Sequence, residues 1–418
     1  MDLIKKSTLF YLDLHHHLKM LETGKNLRND MQTEHKSIFS DSRQMKDISD
    51  ESVDLIVTSP PYPMIEMWDN MFSQQSPLAQ KALNKGDGFA AYESMHKVLD
   101  STWREAFRVL KPGGFACINI GDATRTINGN FALYTNHARV LKSTQGLGFS
   151  SLPCILWRKQ TNAPNKFMGS GMLPAGAYVT LEHEYILILR KGPKRVFKKE
   201  EDKQNRRSSA LFWEERNLWF SDLWIDIKGS LQVLNDKYTR KRSAAFPFEL
   251  AYRLINMYSV KGDMVLDPYL GVGTTTLAAI ASGRNSIGYE IENAFQDVNF
   301  KAKNKIIETS QQIIRKRLVN HLDFIAQRME SKGNLKHNNI PYGFPVMTAQ
   351  EKELLINAPL NIKTTEKNLS VVDYSSKAQS DFCKDWSTIF KQKKISVIES
   401  IKIGSLENNF KQKSLFKN

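Results

Sequence analysis

Residues 264–291, MVLDPYLGVGTTTLAAIASGRNSIGYEI, constrain the fold more tightly than any other stretch of the chain. They read as a short apolar strand (264–268), a Gly/Thr turn (269–276), a helix (277–283) and a second strand (285–291). Strand, glycine turn, helix and strand in direct succession point to parallel pairing, because parallel neighbours need a crossover between them. A second apolar run, VDLIVTSPPY (53–62), stops at Pro60-Pro61. Two prolines end strand and helix alike, so Ser59 and Tyr62 are expected in a loop at the carboxyl end of a buried strand. The fold class expected is α/β, a doubly wound, mostly parallel sheet.

The same alternation continues elsewhere. Apolar strands are predicted at 37–41, 115–122, 151–157 and 183–191. Helical spacing of apolar residues covers 91–110, a region near 131–147, 246–260 and a long run over 293–330. Residues 63–90 lack a clear period and read as a loop or lid, and residues 1–34 read as a polar helical extension. Beyond about 335, lysine, asparagine and serine accumulate, which predicts a weakly structured appendage. A chain of 418 residues exceeds one ordinary small domain, so two or three units, or one catalytic domain with a large insert, are expected.

The formal net charge of +15 is unevenly placed. Residues 190–242 carry 15 basic and 8 acidic side chains, residues 301–418 carry 21 and 11, and the remainder is close to neutral. A strongly basic chain commonly meets polyanions, nucleic acid first among them. In 190–242 the cations are interleaved with Trp213, Trp219, Phe220 and Trp224, a mixture that suits phosphates and bases, although lysines also serve simply to solvate a face. Three scattered cysteines form no disulfide framework. No stretch approaches the length of a membrane span, and the first twenty residues lack the apolar core of a signal peptide. A cytoplasmic protein is expected.

Two motifs carry chemistry. In DPYLGVGTTT (267–276), an acidic strand end and two glycines let a ligand approach the backbone, and Glu290 at the next strand end can accept bonds from ribose hydroxyls. The full G-x-G-x-x-G is absent, since position 276 is Thr, and no Lys follows to make a Walker loop. Taken alone, the glycines are equally a tight strand-to-helix turn. In TSPPY (58–62), Ser59 offers a hydroxyl, Pro60 a carbonyl free of helical donors and Tyr62 a flat face.

Together these segments resemble the amino-methylating DNA methyltransferases that use S-adenosylmethionine. TSPPY matches the family's catalytic (D/N/S)-P-P-(Y/F), and DPYLGVGTT (267–275) matches its cofactor motif, with Tyr269 where Phe is usual. KRSAAFPFEL (241–250), GYEIE (288–292) and HEYILILRKG (183–192) are similar to the flanking segments. The catalytic motif precedes the cofactor motif, the permuted order called the beta class. The resemblance implies a catalytic half at 35–192, a target recognition region at 193–240 and a cofactor half at 241–334, with 1–34 and 335–418 outside it. It implies that Ser59, Pro60, Pro61 and Tyr62 are catalytic. It implies that Asp41, Phe246, Pro247, Asp267, Pro268, Tyr269, Gly271, Gly273, Thr274, Thr275 and Glu290 hold the cofactor. Within the recognition region, Lys198, Lys199, Arg206 and Arg207 are expected on double-stranded DNA. Asp267 is expected to serve cofactor binding with little bearing on the fold.

The chemistry so implied needs no metal, and a partner restriction endonuclease is expected. Ser at the first motif position favours the N4 amino group of cytosine over the N6 amino group of adenine. A methyltransferase acting on other substrates, or a non-catalytic DNA-binding relative, would leave TSPPY or the intact motif pair unexplained. Cys154 follows a proline, as does the nucleophile of carbon-5 cytosine methylases, but it sits inside an apolar strand and reads as a packing thiol. His15, His16 and His17 are consecutive and cannot share a helical face, which argues against a metal site.

Overall fold

A computed structural model describes residues 31–159, 168–229, 246–366, 368–384 and 386. Ten of the described strands belong to one sheet. In chain order these are β1 (Gln32–Phe39), β2 (Val53–Thr58), β3 (Leu110–Ile120), β6 (Phe149–Arg158), β9 (His183–Lys191), β10 (Leu223–Trp224), β11 (Met264–Asp267), β12 (Asn285–Glu290), β15 (Pro359–Glu366) and β16 (Leu369–Tyr374). Their spatial order is β10-β6-β9-β3-β2-β11-β12-β1-β16-β15. Three small hairpins lie apart: β4 (Ala123–Ile127) with β5 (Asn130–Tyr134), β7 (Met168–Gly169) with β8 (Ala177–Tyr178), and β13 (His337–Asn338) with β14 (Pro345–Val346).

The five central strands, β3, β2, β11, β12 and β1, are mutually parallel, whereas β9 runs antiparallel to β3 and β16 antiparallel to β1. Every residue of β2 is buried. Leu55 and Val57 pack with the helices Phe248–Tyr258 and Thr274–Ser282 on one face, while Val53 and Ile56 pack with helix Gly88–Val109 on the other. A strand covered on both faces is apolar wherever it packs against the helices, which explains the run Leu55–Val57, while buried Asp54 and Thr58 near its ends are hydrogen-bonded. Each such side chain is worth about 1.5–3 kcal/mol of burial.

β2 pairs with β11, Val265 opposite Leu55 and Leu266 opposite Ile56. From β2 the chain proceeds to β3 on one side, and from β11 to β12 on the other. This reversal is a topological switch point, and the crevice it opens at the carboxyl ends of the strands is where ligands gather in doubly wound sheets.

Several expectations are corrected. Residues 63–90 are not a loop: helices Asp69–Gln75 and Pro77–Lys85 fold there, anchored by buried Phe72, Ala79 and Ala82, with the Ser76 hydroxyl capping the second. The end of the expected N-terminal extension is strand, since β1 begins at Gln32, while residues 1–30, with His15–His17, lie outside the described residues. The helix expected over 131–147 is a strand followed by helix Asn136–Gly146. The expected C-terminal appendage adds β16 and β15 to the sheet beside β1, with Ser370, Val372 and Tyr374 buried. The Tyr374 hydroxyl donates to the Ile280 carbonyl, locking this edge onto helix Thr274–Ser282.

Candidate active site

The crevice at the switch point is lined by Asp41 and Arg43 after β1, by Ser59, Pro60 and Pro61 after β2, and by Asp267, Pro268, Tyr269, Gly271 and Thr274 at and after the end of β11. Phe246, Glu290, Glu292 and Phe295 also line it, and Trp68, Met71, Val98, Leu99 and Thr102 add a wall from the segment after β2 and from helix Gly88–Val109. The two motifs, some two hundred residues apart in sequence, thus share one cavity. The wall from Trp68 to Thr102 was not anticipated, because its residues come from the segment read as a lid and from a helix whose apolar face looks like ordinary core.

Asp267 is buried and held by three donors. It accepts from Thr58 Oγ1 at 2.6 Å, Thr275 Oγ1 at 2.7 Å and the Tyr269 backbone N–H at 3.0 Å. It therefore ties β2, β11 and the following helix together, a bracing role that the sequence reading, which assigned it to the cofactor, did not foresee. Burial pushes its carboxyl up to about 6, against the three hydrogen bonds that lower it. Thr275 likewise supports from behind, also donating to the Val57 carbonyl. Gly273, at φ +87°, caps the helix, and a β-carbon there would collide with the Asn299 side chain. Gly271, at φ +53°, instead faces open space: a β-carbon would meet nothing closer than 3.9 Å, so its absence leaves a cradle on the crevice wall. Pro247 is the N-cap of helix Phe248–Tyr258. Tyr269, which departs from the usual Phe, has a partner for its hydroxyl in Thr102 Oγ1 at 2.9 Å.

Glu290 accepts from the backbone N–H groups of Gly271 and Glu292 at 2.8 and 2.9 Å, and burial pushes its carboxyl up to about 7. Two backbone donors leave lone pairs on each oxygen for a diol. Burial opposes ionisation of Asp41, but the hydrogen bonds and charge of Arg43 outweigh it and hold the carboxyl below the usual range. Apolar Phe246, Trp68 and Phe295, the Gly271 cradle and the Glu290 carboxylate fit the adenine, ribose and chain of S-adenosylmethionine.

The TSPPY loop after β2 is held from behind. The Tyr62 hydroxyl donates to Glu184 Oε2 at 2.9 Å, accepts from Asn119 Nδ2 at 2.8 Å and lies 3.1 Å from Ser59 Oγ. Gly121 makes room for the ring, since a β-carbon there would sit 3.0 Å from Tyr62 Cε2. Asn119 lies near the end of β3 and Glu184 near the start of β9. Neither was singled out from sequence, because a polar residue within a strand gives no signal of what it faces. Cys154 lies on β6, three strands from β2, and does not line the crevice.

The structure does not bring Lys198, Lys199, Arg206 and Arg207 to this site. They lie on or beside helix Glu200–Ser208, whose Asn205 donates to the Lys261 carbonyl, just before β11 begins. Nearby Arg195 pairs with Asp263, at the same end of the sheet. Arg207 is engaged by Glu200 and Glu353, and the Arg206 guanidinium lies 4.9 Å from the Phe197 ring. Two of the aromatics that suggested a base-stacking face are internal: Trp219 and Trp224 are buried in the sheet-helix core, under Arg253 and Arg317. Residues 230–240 of the expected recognition region, and 241–245 of the motif before Phe246, lie outside the described residues.

Residues 53–301 match the DNA methylase family. The chain is 50% identical over 339 residues to the type II methyltransferase M.MthZI of Methanothermobacter thermautotrophicus, spanning 81% of this chain and 94% of that relative. It is 49% identical over 284 residues to M.MjaI of Methanocaldococcus jannaschii, spanning 64% and 91%. A putative DNA modification methylase of Thermus thermophilus, solved in complex with S-adenosyl-L-methionine, is 30% identical with a TM-score of 0.51, over 65% of this chain and 94% of that one. The matched span runs from the first residue of β2 past the end of β12, and so contains both motif loops and the switch point between them. On the motifs, their meeting in one crevice and these relatives together, the chain belongs to the DNA methylases that methylate exocyclic amino groups with S-adenosylmethionine.

Proposed function

We propose that the chain transfers a methyl group to the N4 amino group of cytosine within a specific duplex sequence. The observation that carries this reading is the residue at the head of the catalytic loop: Ser59, a neutral hydroxyl, lines the crevice beside Pro60. Bound S-adenosylmethionine supplies a methyl group activated by its sulfonium. Glu290 would take the ribose hydroxyls, and Phe246, Trp68 and Phe295 the adenine. A base inside a duplex cannot reach the crevice and must leave the stack, at a cost of a few kcal/mol. The Tyr62 ring then provides a stacking face, and Ser59 Oγ and the Pro60 carbonyl accept hydrogen bonds from the amino group. Those two acceptors orient the nitrogen lone pair toward the methyl carbon, so that positioning supplies much of the acceleration.

The duplex would approach the carboxyl edge of the sheet, where hairpin β4–β5 and residues 168–182 emerge beside the ends of β3 and β6. Phe131 and Tyr178 stack there at 4.8 Å and remain substantially exposed. Methylation would protect cytoplasmic host DNA from a partner endonuclease, a reading supported by the type II naming of the relatives. The test is to methylate duplex DNA with the purified protein, digest it to nucleosides and identify the product by mass spectrometry, with sequencing to locate the site. N4-methylcytidine is expected. N6-methyladenosine alone would overturn the base assignment while leaving the crevice and loop roles standing, and 5-methylcytidine would overturn the mechanism.

A further inference from the structure

Polar groups behind the catalytic loop form a chain whose direction can be worked out. Glu184 sits near the start of β9, almost wholly buried, with Oε1 2.9 Å from Lys159 Nζ and Oε2 accepting from both Tyr62 and Asn119. A carboxylate only accepts, so the single Tyr62 proton points at Oε2. Burial, and next the charge of Glu184, push the Tyr62 phenol well above its usual value, so that proton stays on the ring. Asn119 Nδ2 donates to Tyr62 at 2.8 Å and to Glu184 at 2.7 Å. The reversed amide would set its carbonyl against the carboxylate, which fixes the orientation. With its proton committed to Glu184, the Tyr62 oxygen can only accept from Ser59, 3.1 Å away. The Ser59 proton is therefore turned toward Tyr62, and the Ser59 lone pairs are left facing the crevice.

We infer that Glu184 is a positioning residue that acts through Tyr62 to make Ser59 a hydrogen-bond acceptor for the target amino group. This rests on the amino-group reading of Ser59 given above, and it assigns the role to a residue outside both motifs. Without the carboxylate, Tyr62 is free to donate to Ser59. The Ser59 proton would then turn into the crevice and oppose the amino protons of the base.

The experiment is a double-mutant cycle. Glu184→Gln, Tyr62→Phe and the double variant are compared with wild type in single-turnover methyl transfer to duplex DNA, with S-adenosylmethionine affinity measured by calorimetry. In Glu184→Gln the introduced amide can present an N–H to Tyr62 and reverse the chain, whereas Tyr62→Phe keeps the ring and breaks the chain. Glu184→Gln is expected to slow transfer by about tenfold to a hundredfold, less than the roughly hundredfold to thousandfold cost of losing the oriented group itself, because Glu184 acts through Tyr62. Cofactor affinity and substrate KM should stay within about twofold, and Glu184→Gln should add little on the Tyr62→Phe background, because residues acting as a unit are non-additive. Independent, multiplicative effects of the two substitutions would overturn the inference, as would a Glu184→Gln rate equal to wild type. If wild type itself fails to methylate DNA amino groups, the proposed function falls instead.

Discussion

The two ends of strands β2 and β11 are built from similar residues but differ in how their charges are satisfied. At the amino ends, Asp54 meets Lys111 and also accepts from the Met264 N–H of β11, while Asp263 meets Arg195. Both carboxylates have a cation. At the carboxyl ends of β11 and of its neighbour β12, among the described residues, Asp267 and Glu290 are held by hydroxyls and backbone N–H groups, with no cation in hydrogen-bond reach. Compensated charge holds the sheet together, and uncompensated polar capacity at the other end is what a ligand can use. In the basic segment at 193–229, Arg195, Lys203 and Arg207 are paired in the first way, and the helix Glu200–Ser208 lies by the amino end of β11, which is why counting charges there does not lead to the crevice.

The largest effect expected from breaking this contrast is at Asp267. Asp267→Ala strands Thr58 Oγ1 and the Tyr269 N–H, each costing about 1–3 kcal/mol when unsatisfied, and leaves Thr275 only its longer bond to the Val57 carbonyl. It should therefore lower stability by several kcal/mol in chemical denaturation as well as abolish cofactor binding. Loss of binding with unchanged stability would return Asp267 to a pure ligand role.

An intermediate effect is expected at Glu290. Ribose hydroxyls donate to the ionised carboxylate, so protonation near pH 7 opposes binding. S-Adenosylmethionine should bind about tenfold more weakly at pH 6 than at pH 8, one unit of protonation being worth about 1.4 kcal/mol. Glu290→Gln should flatten that profile in calorimetry. For folding the sign is opposite. The folded value lies above the ordinary 4.5, so the unfolded chain gives up this proton first, and the group's contribution to stability falls as pH rises from about 4.5 to 7. A pH-independent affinity in wild type would count against Glu290 as the ribose ligand.

The smallest effect is expected at the amino edge. Neutralising Lys198, Lys199, Arg206 and Arg207 together should leave the salt dependence of DNA binding nearly unchanged, whereas each lost phosphate contact would reduce the slope by about 0.9. A flattened slope would bring the duplex to this edge and contradict the contrast.

What could be read from sequence follows from where the signal is local. β2, β11 and β12 are apolar runs closed by prolines, glycines or an acidic residue, and the structure keeps their limits within a few residues. Both motif loops are also local, and the crevice unites them as the resemblance implied. Four features were not legible. Residues 63–90 fold as short helices whose few buried anchors, such as Phe72, are too sparse to set a period. β15 is an edge strand with mostly exposed side chains, and β16 is recognisable only once β1 offers it an edge. Trp219 and Trp224 carry no mark that separates a core indole from one that stacks on a base, and Glu184 becomes meaningful only when β9 lies beside β3.

The central claim is that the carboxyl ends of β2 and β11 divide the work, with the β11 side holding S-adenosylmethionine and Ser59 on the β2 side directing the amino group. It is tested most directly by Ser59→Ala, measured twice on one preparation: cofactor affinity by calorimetry, and methyl transfer to duplex DNA in a single turnover. The account predicts affinity within about twofold of wild type and transfer slower by about a hundredfold to a thousandfold, the cost of removing one oriented polar group at a reacting centre. Transfer at the wild-type rate, or loss of cofactor binding in step with loss of transfer, would contradict it.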